Sequence, residues 1–197
     1  NNKELKDFDK NTQIYIYDCV RFSYKVFACI DAYQRTKPDM LWFLDADIVT
    51  FEKIPMSWLE HIMPDTAFTS YLGRPKKGFS ETGYYAFNTS HKYAGEFFER
   101  WQTYYDKDRF LELKGYTDSF TFDGARIELE KEGKIKNEDL NDGRWAGGRR
   151  SRHPFINSEL GQYMDHLKGY DRKAAMTSKK RDLTTKQSHP YWKTLKE

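Results

Sequence analysis

The stretch "MLWFLDADIVT", residues 40–50, places two carboxylates directly after the most apolar segment of the chain. This segment, bounded by Pro38 and Pro55, predicts a strand that is buried on both faces and ends at the aspartates. Side chains alternate along a strand, so Asp45 and Asp47 are expected to point to the same side. Two carboxylates this close repel each other unless a cation, a shared proton or solvent compensates. The motif therefore indicates a metal site or an acid–base pair; two aspartates that only solvate the end of a strand are the alternative.

The composition limits the class of protein. The chain has 197 residues, which suits one domain, and its formal charge of +3 is too small to favour nucleic acid as a partner. No apolar run approaches the roughly 20 residues that span a bilayer, so we expect no membrane insertion. Cys19 and Cys29 lie on or beside one predicted helix, about 15 Å apart at the usual rise per residue, which is too far for a disulfide. Reduced thiols favour a cytoplasmic protein.

Helical and strand patterns alternate along the chain. The predicted strands cover residues 40–44, 66–71 and 84–88, and the longer predicted helices cover residues 20–37, 94–105, 118–132 and 157–169. This alternation predicts an α/β fold with a mainly parallel sheet and helices on both faces. We assign residues 1–173 to this domain. Residues 174–197 form a basic C-terminal tail, which is either docked on the domain or disordered.

Two further stretches carry candidate site residues. In "HLKGYDRK", residues 166–173, His166 stands just before a glycine and is a candidate metal ligand, although a surface or capping histidine is the alternative. Arg172 and Lys173 follow at a distance suited to a phosphate pair. In "DGRWAGGRRSRH", residues 142–153, Trp145 and Arg149 would belong to a lid over a ligand, and a solvated loop is the alternative.

The order of these motifs is similar to that of a known enzyme family. With "LWFLDADIV", "ETGYYAFN" and "HLKGYDRK" in sequence, residues 20–173 resemble the retaining, metal-dependent glycosyltransferases of the GT-A fold, in particular the group containing glycogenin and the bacterial lipopolysaccharide galactosyltransferases. "YTDSFTFD" occurs where that family carries an Asp-Gln pair before a helix. The resemblance implies a GT-A-like, Rossmann-like mixed sheet. Only 44 residues precede Asp45, so the N-terminal part is expected to be short or incomplete relative to the family.

The resemblance also implies roles for individual residues. The metal, Mn²⁺ or Mg²⁺, would be held by Asp45, Asp47 and His166. Asp118 would lie near the anomeric carbon, although an aspartate at a helix start is also an ordinary N-cap. The nucleotide-sugar would meet Arg21, Lys25, Gly169, Arg172 and Lys173, and the acceptor side would include Glu81, Thr82, Trp145 and Arg149.

The expected activity is transfer of a sugar, with retained configuration, from a nucleotide-diphosphate donor to an acceptor that is a glycan, a lipid or a protein. Two alternatives remain. Asp45 to Val49 also fits the Asp-x-Asp-x-Thr/Val motif of haloacid-dehalogenase-like phosphatases, in which the first aspartate is the nucleophile, but no apolar strand ending in an acidic pair follows residue 90. The other alternative is a non-catalytic, glycosyltransferase-like binding module. The sequence does not identify the donor base, the donor sugar, the acceptor or the oligomeric state.

Overall fold

A computed structural model describes residues 10–74, 79–141 and 153–195, which contain five α-helices and six β-strands. The helices are α1 (Lys10–Thr36), α2 (Met56–Ile62), α3 (Ala94–Asp106), α4 (Asp118–Lys131) and α5 (Tyr170–Ala175). The strands are β1 (Met40–Leu44), β2 (Ile48–Thr50), β3 (Thr69–Leu72), β4 (Glu81–Asn88), β5 (Asn137–Asp139) and β6 (Met164–His166). Short 3₁₀ helices cover Arg109–Glu112, Glu159–Gln162, Lys180–Asp182 and Pro190–Thr194. The expected α/β class is confirmed.

The main sheet is mixed rather than mainly parallel. Its strand order is β1-β4-β3-β5, and β2 pairs with β6 in a separate two-stranded sheet. Strand β4 runs antiparallel to both β1 and β3, and only β3 and β5 are parallel. The prediction of a mainly parallel sheet is therefore wrong. A parallel pair needs a crossover of a dozen or more residues, and residues 73–80 between β3 and β4 are too few for one.

Strand β1, which carries the aspartates at its end, lies at the edge of the sheet formed by the described strands. Its residues are half-buried or, at Leu44, exposed, so the prediction of a strand buried on both faces is wrong. Leu41 and Phe43 pack toward one face of the sheet, and Met40 and Trp42 toward the other. The side chains packed on each face of the sheet cover β1 only in part, because β1 has a neighbouring strand on one side only.

The core lies on both faces of the sheet, and β4 separates its two halves. Tyr85 and Phe87 belong to a cluster built with α1, α3 and α4, whereas Tyr84 and Ala86 belong to a second cluster that includes residues of α2. This alternation follows from the period of two along a strand. Most aromatic side chains of β4, α3 and α4 pack within these two clusters. Helices therefore cover both faces, as expected.

The C-terminal ends of α1 and α4 follow the sequence signals, but α1 begins at Lys10 rather than at the predicted residue 20. Helix α1 ends at Thr36, two residues before Pro38, and α4 ends at Lys131 with Gly133 at a φ of 69°. The helix predicted over residues 157–169 is wrong, because this segment forms a short 3₁₀ helix followed by β6. All three residues of β6 are buried and pair with β2, so strand pairing outweighs the local helical pattern.

The C-terminal segment is docked on the second core cluster. Trp192 is buried there, and its Nε1 donates a hydrogen bond to Gly161 O at 2.7 Å. Tyr191 stacks on Phe51, with ring centroids 4.2 Å apart. Cys19 and Cys29 are both free thiols. Within the described residues, no helix has the length and apolar character needed to cross a membrane.

Candidate metal centre

The two aspartates lie in a tight turn between β1 and β2. Ile48 N donates to Asp45 O at 3.1 Å, which closes the turn, and Asp45 N donates to Gly83 O of β4 at 3.0 Å. Strand alternation alone predicts that both carboxylates point to one side. In the structure Asp47 lies in the turn rather than on the strand, and both carboxylates lie near His166.

Strand β6 brings His166 to this turn. His166 pairs with Ile48 across the β2–β6 ladder, and Leu167 N donates to Asp47 O at 2.9 Å. The Nε2 atom of His166 is 3.2 Å from Asp47 Oδ1 and 3.7 Å from Asp45 Oδ2. One ligand atom from each of the three residues lies within 4.8 Å of the others. We call Asp45, Asp47 and His166 the Asp–Asp–His cluster.

The donor atoms of the cluster suit a divalent cation. Ligand atoms on opposite sides of an ion such as Mg²⁺ are about 4 Å apart and neighbouring ones are closer, so the observed spacings fit one shared ion. Burial, and then the neighbouring Lys168, lowers the pKa of His166 to about 4, so its imidazole is neutral near pH 7 and has a lone pair for a metal. Burial alone would raise the pKa of Asp47, but the hydrogen bond from Lys173 and the nearby His166 lower it. Two carboxylates with one imidazole match borderline ions such as Mn²⁺ as well as Mg²⁺.

Lys25 of α1 joins the cluster to Asp118. Its Nζ is 2.8 Å from Asp45 Oδ1 and 2.9 Å from Asp118 Oδ2, and it also donates to Thr82 O. Burial would lower the pKa of Lys25, but Asp118 and Asp45 raise it, so the ammonium stays charged. Burial raises the pKa of Asp45 against the opposing effect of Lys25. A charged lysine therefore compensates part of the repulsion between these carboxylates.

Asp118 does not cap helix α4. It is the first residue of α4, and Thr117 holds the N-cap position without a side-chain hydrogen bond. The Asp118 side chain is buried, with one oxygen near Lys25 and accepting a hydrogen bond from Tyr85 at 3.1 Å. The N-cap alternative is therefore wrong.

Of the two cations expected to meet a diphosphate, only one faces the cluster. Lys173 Nζ is 2.9 Å from Asp47 Oδ2. Arg172 instead forms a two-point ion pair with Asp182, at 2.7 and 2.5 Å. Gly169 precedes α5 at a φ of 83°, a conformation that favours glycine. The Arg172 guanidinium therefore faces Asp182 rather than the cluster, and its predicted role at the phosphate stays a prediction.

Glu81 and Thr82 lie next to the cluster at the start of β4. Glu81 is buried, forms ion pairs with Lys168 and Arg74, and has Oε1 3.9 Å from His166 Nδ1. Thr82 Oγ1 is 3.0 Å from Ser119 Oγ. Arg21 is an exposed residue of α1. Trp145 and Arg149, the predicted lid residues, lie outside the described residues.

Comparisons of the chain with protein-family models, curated proteins and solved structures find no match. The choice among functions depends on the geometry of the site and on the order of the motifs.

The structure adds residues that the motifs did not reveal. Asp165, fully buried beside His166 on β6, accepts hydrogen bonds from Ser178 N at 2.7 Å, Ser178 Oγ at 2.5 Å and Tyr191 Oη at 2.8 Å. These contacts tie the C-terminal segment to the strand that carries the histidine. The sequence gives no signal for them, since Ser178 and Tyr191 lie in a stretch without periodicity.

Gly83 lies against the His166 ring, so a substitution there tests the cluster. A Cβ at Gly83 would lie 2.6 Å from His166 Cε1 and 2.7 Å from Nδ1, closer than real contacts allow. Gly83→Ala is therefore expected to displace the imidazole and weaken Mn²⁺ binding about 10- to 100-fold, as loss of ligand orientation does. Calorimetric titration with Mn²⁺ measures this. Gly95→Ala is the control, since the nearest atom to its Cβ is 3.6 Å away, an ordinary contact. Equal affinities in the two variants would contradict the assigned position of His166.

Proposed function

We propose that the chain is a metal-dependent glycosyltransferase that moves a sugar from a nucleoside-diphosphate donor to an acceptor. The observation that carries the proposal is the convergence of Asp45, Asp47 and His166 from distant parts of the chain onto one potential cation site. Lys173 contacts Asp47 at that site, and Lys25 joins Asp45 to Asp118. The resemblance of the ordered motifs to GT-A glycosyltransferases supports the same activity.

The proposed roles follow from charge and position. A bound Mn²⁺ or Mg²⁺ would neutralise negative charge on the donor diphosphate. Asp45, Asp47 and His166 would hold this ion. Lys173, whose side chain is 54% exposed, can leave Asp47 and bind a phosphate oxygen without loss of a buried contact. A diphosphate bound at this place would have cationic groups around it, as a leaving group with growing negative charge requires.

Asp118 is the proposed carboxylate for the sugar. Its side chain is held by Lys25 and Tyr85, so its orientation is fixed before substrate binds. A carboxylate in that position would stabilise positive charge at the anomeric carbon. The expectation of retained anomeric configuration comes from the family resemblance and stays a prediction, which an NMR assay of the product's anomeric proton decides.

The direct test is hydrolysis or transfer from nucleotide-sugars. The protein is stripped of metal with a chelator and incubated with a panel of uridine and guanosine diphosphate sugars, with and without Mn²⁺. We expect slow release of nucleoside diphosphate that requires the added ion. Turnover that is unaffected by a chelator would contradict a metal-dependent enzyme. Tight nucleotide-sugar binding without turnover of any donor or acceptor would instead favour the binding-module alternative.

The phosphatase alternative predicts a different result in the same experiment. It would use Asp45 as a nucleophile. However, Asp45 Oδ1 is 2.8 Å from Lys25 Nζ, and the third group at the site is an imidazole rather than a further carboxylate. Hydrolysis of p-nitrophenyl phosphate that is lost in Asp45→Asn, with no release from nucleotide-sugars, would favour the phosphatase over our proposal.

Neighbouring residues Arg172 and Lys173 offer a matched pair of variants. Lys173→Met should lower the affinity for nucleoside diphosphate in the presence of Mn²⁺ about tenfold, because a charged hydrogen bond is lost, and should leave stability nearly unchanged. Arg172→Met should have the opposite effects. It removes the ion pair with Asp182, so the free energy of unfolding should fall by about 1–3 kcal/mol, whereas the affinity for nucleoside diphosphate should be unchanged. Calorimetry and urea unfolding measure the two effects. The reversed pattern would place the diphosphate at Arg172.

A further inference from the structure

A cleft of about 550 Å³ opens beside the Asp–Asp–His cluster. Its lining includes Glu81, Thr82 and Asp118, which also belong to the site described above. The cationic and aromatic side chains of the lining are Phe22, Arg74, Phe79, Lys114, Phe120 and Lys168. The volume falls within the range of small-molecule sites, which is about 300–1,000 Å³.

The charges of the cleft are opposite to those of the cluster. Arg74, Lys114 and Lys168 line the cleft together with the carboxylate Glu81, which Arg74 and Lys168 share. Asp118 also lines the cleft, but Lys25 and Tyr85 already hold it. Within the described part of the chain, no ion pair is found for exposed Lys114. The cleft therefore has more cationic groups than its own carboxylate can neutralise.

The cluster has the reverse imbalance, since three carboxylates, Asp45, Asp47 and Asp118, face two ammonium groups, Lys25 and Lys173. A cation suits the cluster, and an anionic group suits the cleft. A metal ion would thus bind at the cluster and an anionic ligand in the neighbouring cleft, because the two places have opposite net charge.

Aromatic rings define the shape of the cleft. Phe79 and Phe120 lie with ring centroids 4.9 Å apart, and the Arg74 guanidinium lies over Phe79 at 5.6 Å. Phe22 of α1 adds a third ring to the lining. The apolar faces of sugar rings pack against aromatic side chains, whereas phosphate and carboxylate groups bind arginine and lysine. A sugar ring with an attached anionic group can contact both the aromatic and the cationic side chains of the cleft.

We infer that the cleft is the acceptor site and that the acceptor is a carbohydrate bearing a phosphate or carboxylate group. The sugar ring packs on the phenylalanine walls, and the anionic group lies among Arg74, Lys114 and Lys168. The assignment of the cleft as an acceptor site rests on the proposed function, because an acceptor requires a sugar donor bound at the Asp–Asp–His cluster. The ligand class rests only on the cleft.

The test compares three probes in the presence of a chelator: glucose 6-phosphate, glucose and inorganic phosphate. By calorimetry, we expect glucose 6-phosphate to bind at least about tenfold more tightly than either of the others, since only it contacts both kinds of wall. Lys114→Ala should weaken glucose 6-phosphate binding about 3- to 10-fold and leave glucose unaffected. Phe79→Leu should weaken binding of both sugars. Lys53→Ala, at an exposed lysine outside the cleft, is the matched control and should change nothing.

Asp47→Asn separates the cleft from the cluster. In this variant glucose 6-phosphate should bind as in the parent. Binding that requires Mn²⁺, or that is lost in Asp47→Asn, would show that the phosphate occupies the metal centre and would overturn the inference. So would equal affinities for glucose and glucose 6-phosphate, no binding of glucose 6-phosphate at millimolar concentration, or an unaffected Lys114→Ala variant. If nucleotide-sugars are never turned over but the probes behave as expected, the proposed function fails and the ligand class of the cleft stands.

Discussion

Replacing Asp47 by asparagine is expected to lower metal-dependent turnover by more than about 100-fold. Loss of a group that only orients a metal ligand costs 10- to 100-fold in affinity or activity, and Asp47 is itself a proposed ligand. Asparagine has the same shape but lacks the charge that attracts a dication. The fold should lose no more than about 1 kcal/mol, because the ion pair that Asp47 forms is with the exposed Lys173. The measurements are Mn²⁺ titration, donor hydrolysis and urea unfolding of the same preparations.

A thermal-shift experiment adds a readout that does not depend on activity. Metal that binds only the folded state stabilises it by about 2.7 kcal/mol at a hundredfold excess over Kd. The parent should therefore melt at a higher temperature with Mn²⁺, and Asp47→Asn should not. Asp65→Asn, at an exposed carboxylate outside the cluster, is the control and should respond like the parent. An Asp47→Asn variant that keeps both the shift and the turnover would remove Asp47 from the centre.

The parts of the site that could be predicted from the sequence are those that a local pattern encodes. An apolar run ending in Asp-x-Asp indicates a strand with ligands at its end, and that placement is found for Asp45. Lys25 could be placed on the helix before the strand, and Asp118 at the start of a helix, from periodicity and turn signals. Each of these depends on residues close together in the chain.

The parts that could not be predicted depend on pairing between distant segments. The segment around His166 has a helical pattern, but β2 leaves backbone groups that need a partner, and residues 164–166 supply it. This pairing of β2 with β6, rather than a helix end, brings His166 close to Asp47. The edge position of β1 likewise depends on which strands flank β4, which no local pattern encodes. The ion pair between Arg172 and Asp182 also has no local signal, because Asp182 lies in a stretch without periodicity.

The docked C-terminal segment leads to the second large effect. Trp192 is 5% exposed, belongs to the core cluster that also contains Phe155 and Met164, and donates to Gly161 O. Trp192→Ala is expected to cost about 3–5 kcal/mol of unfolding free energy, as large-to-small changes of buried aromatics do. Urea unfolding measures this loss. Tyr170→Ala is the control, because Tyr170 is 86% exposed and should contribute little.

The same variant should also weaken the metal centre at temperatures where it is still folded. Phe155 packs on the His166 ring with centroids 5.2 Å apart, and Tyr191, next to Trp192, donates to Asp165 beside His166. Removing the indole of Trp192 leaves Phe155 and Tyr191 less firmly packed, and these two side chains hold the strand that carries His166. Mn²⁺ affinity should therefore fall although no proposed metal ligand has changed. Tyr191→Phe isolates the polar half of this support: it removes the hydrogen bond to Asp165, keeps the ring on Phe51, and should lower Mn²⁺ affinity with a smaller loss of stability. If Trp192→Ala destabilises the fold while both variants bind Mn²⁺ like the parent, the C-terminal segment supports the core alone and the position of His166 is set by β2 and β6.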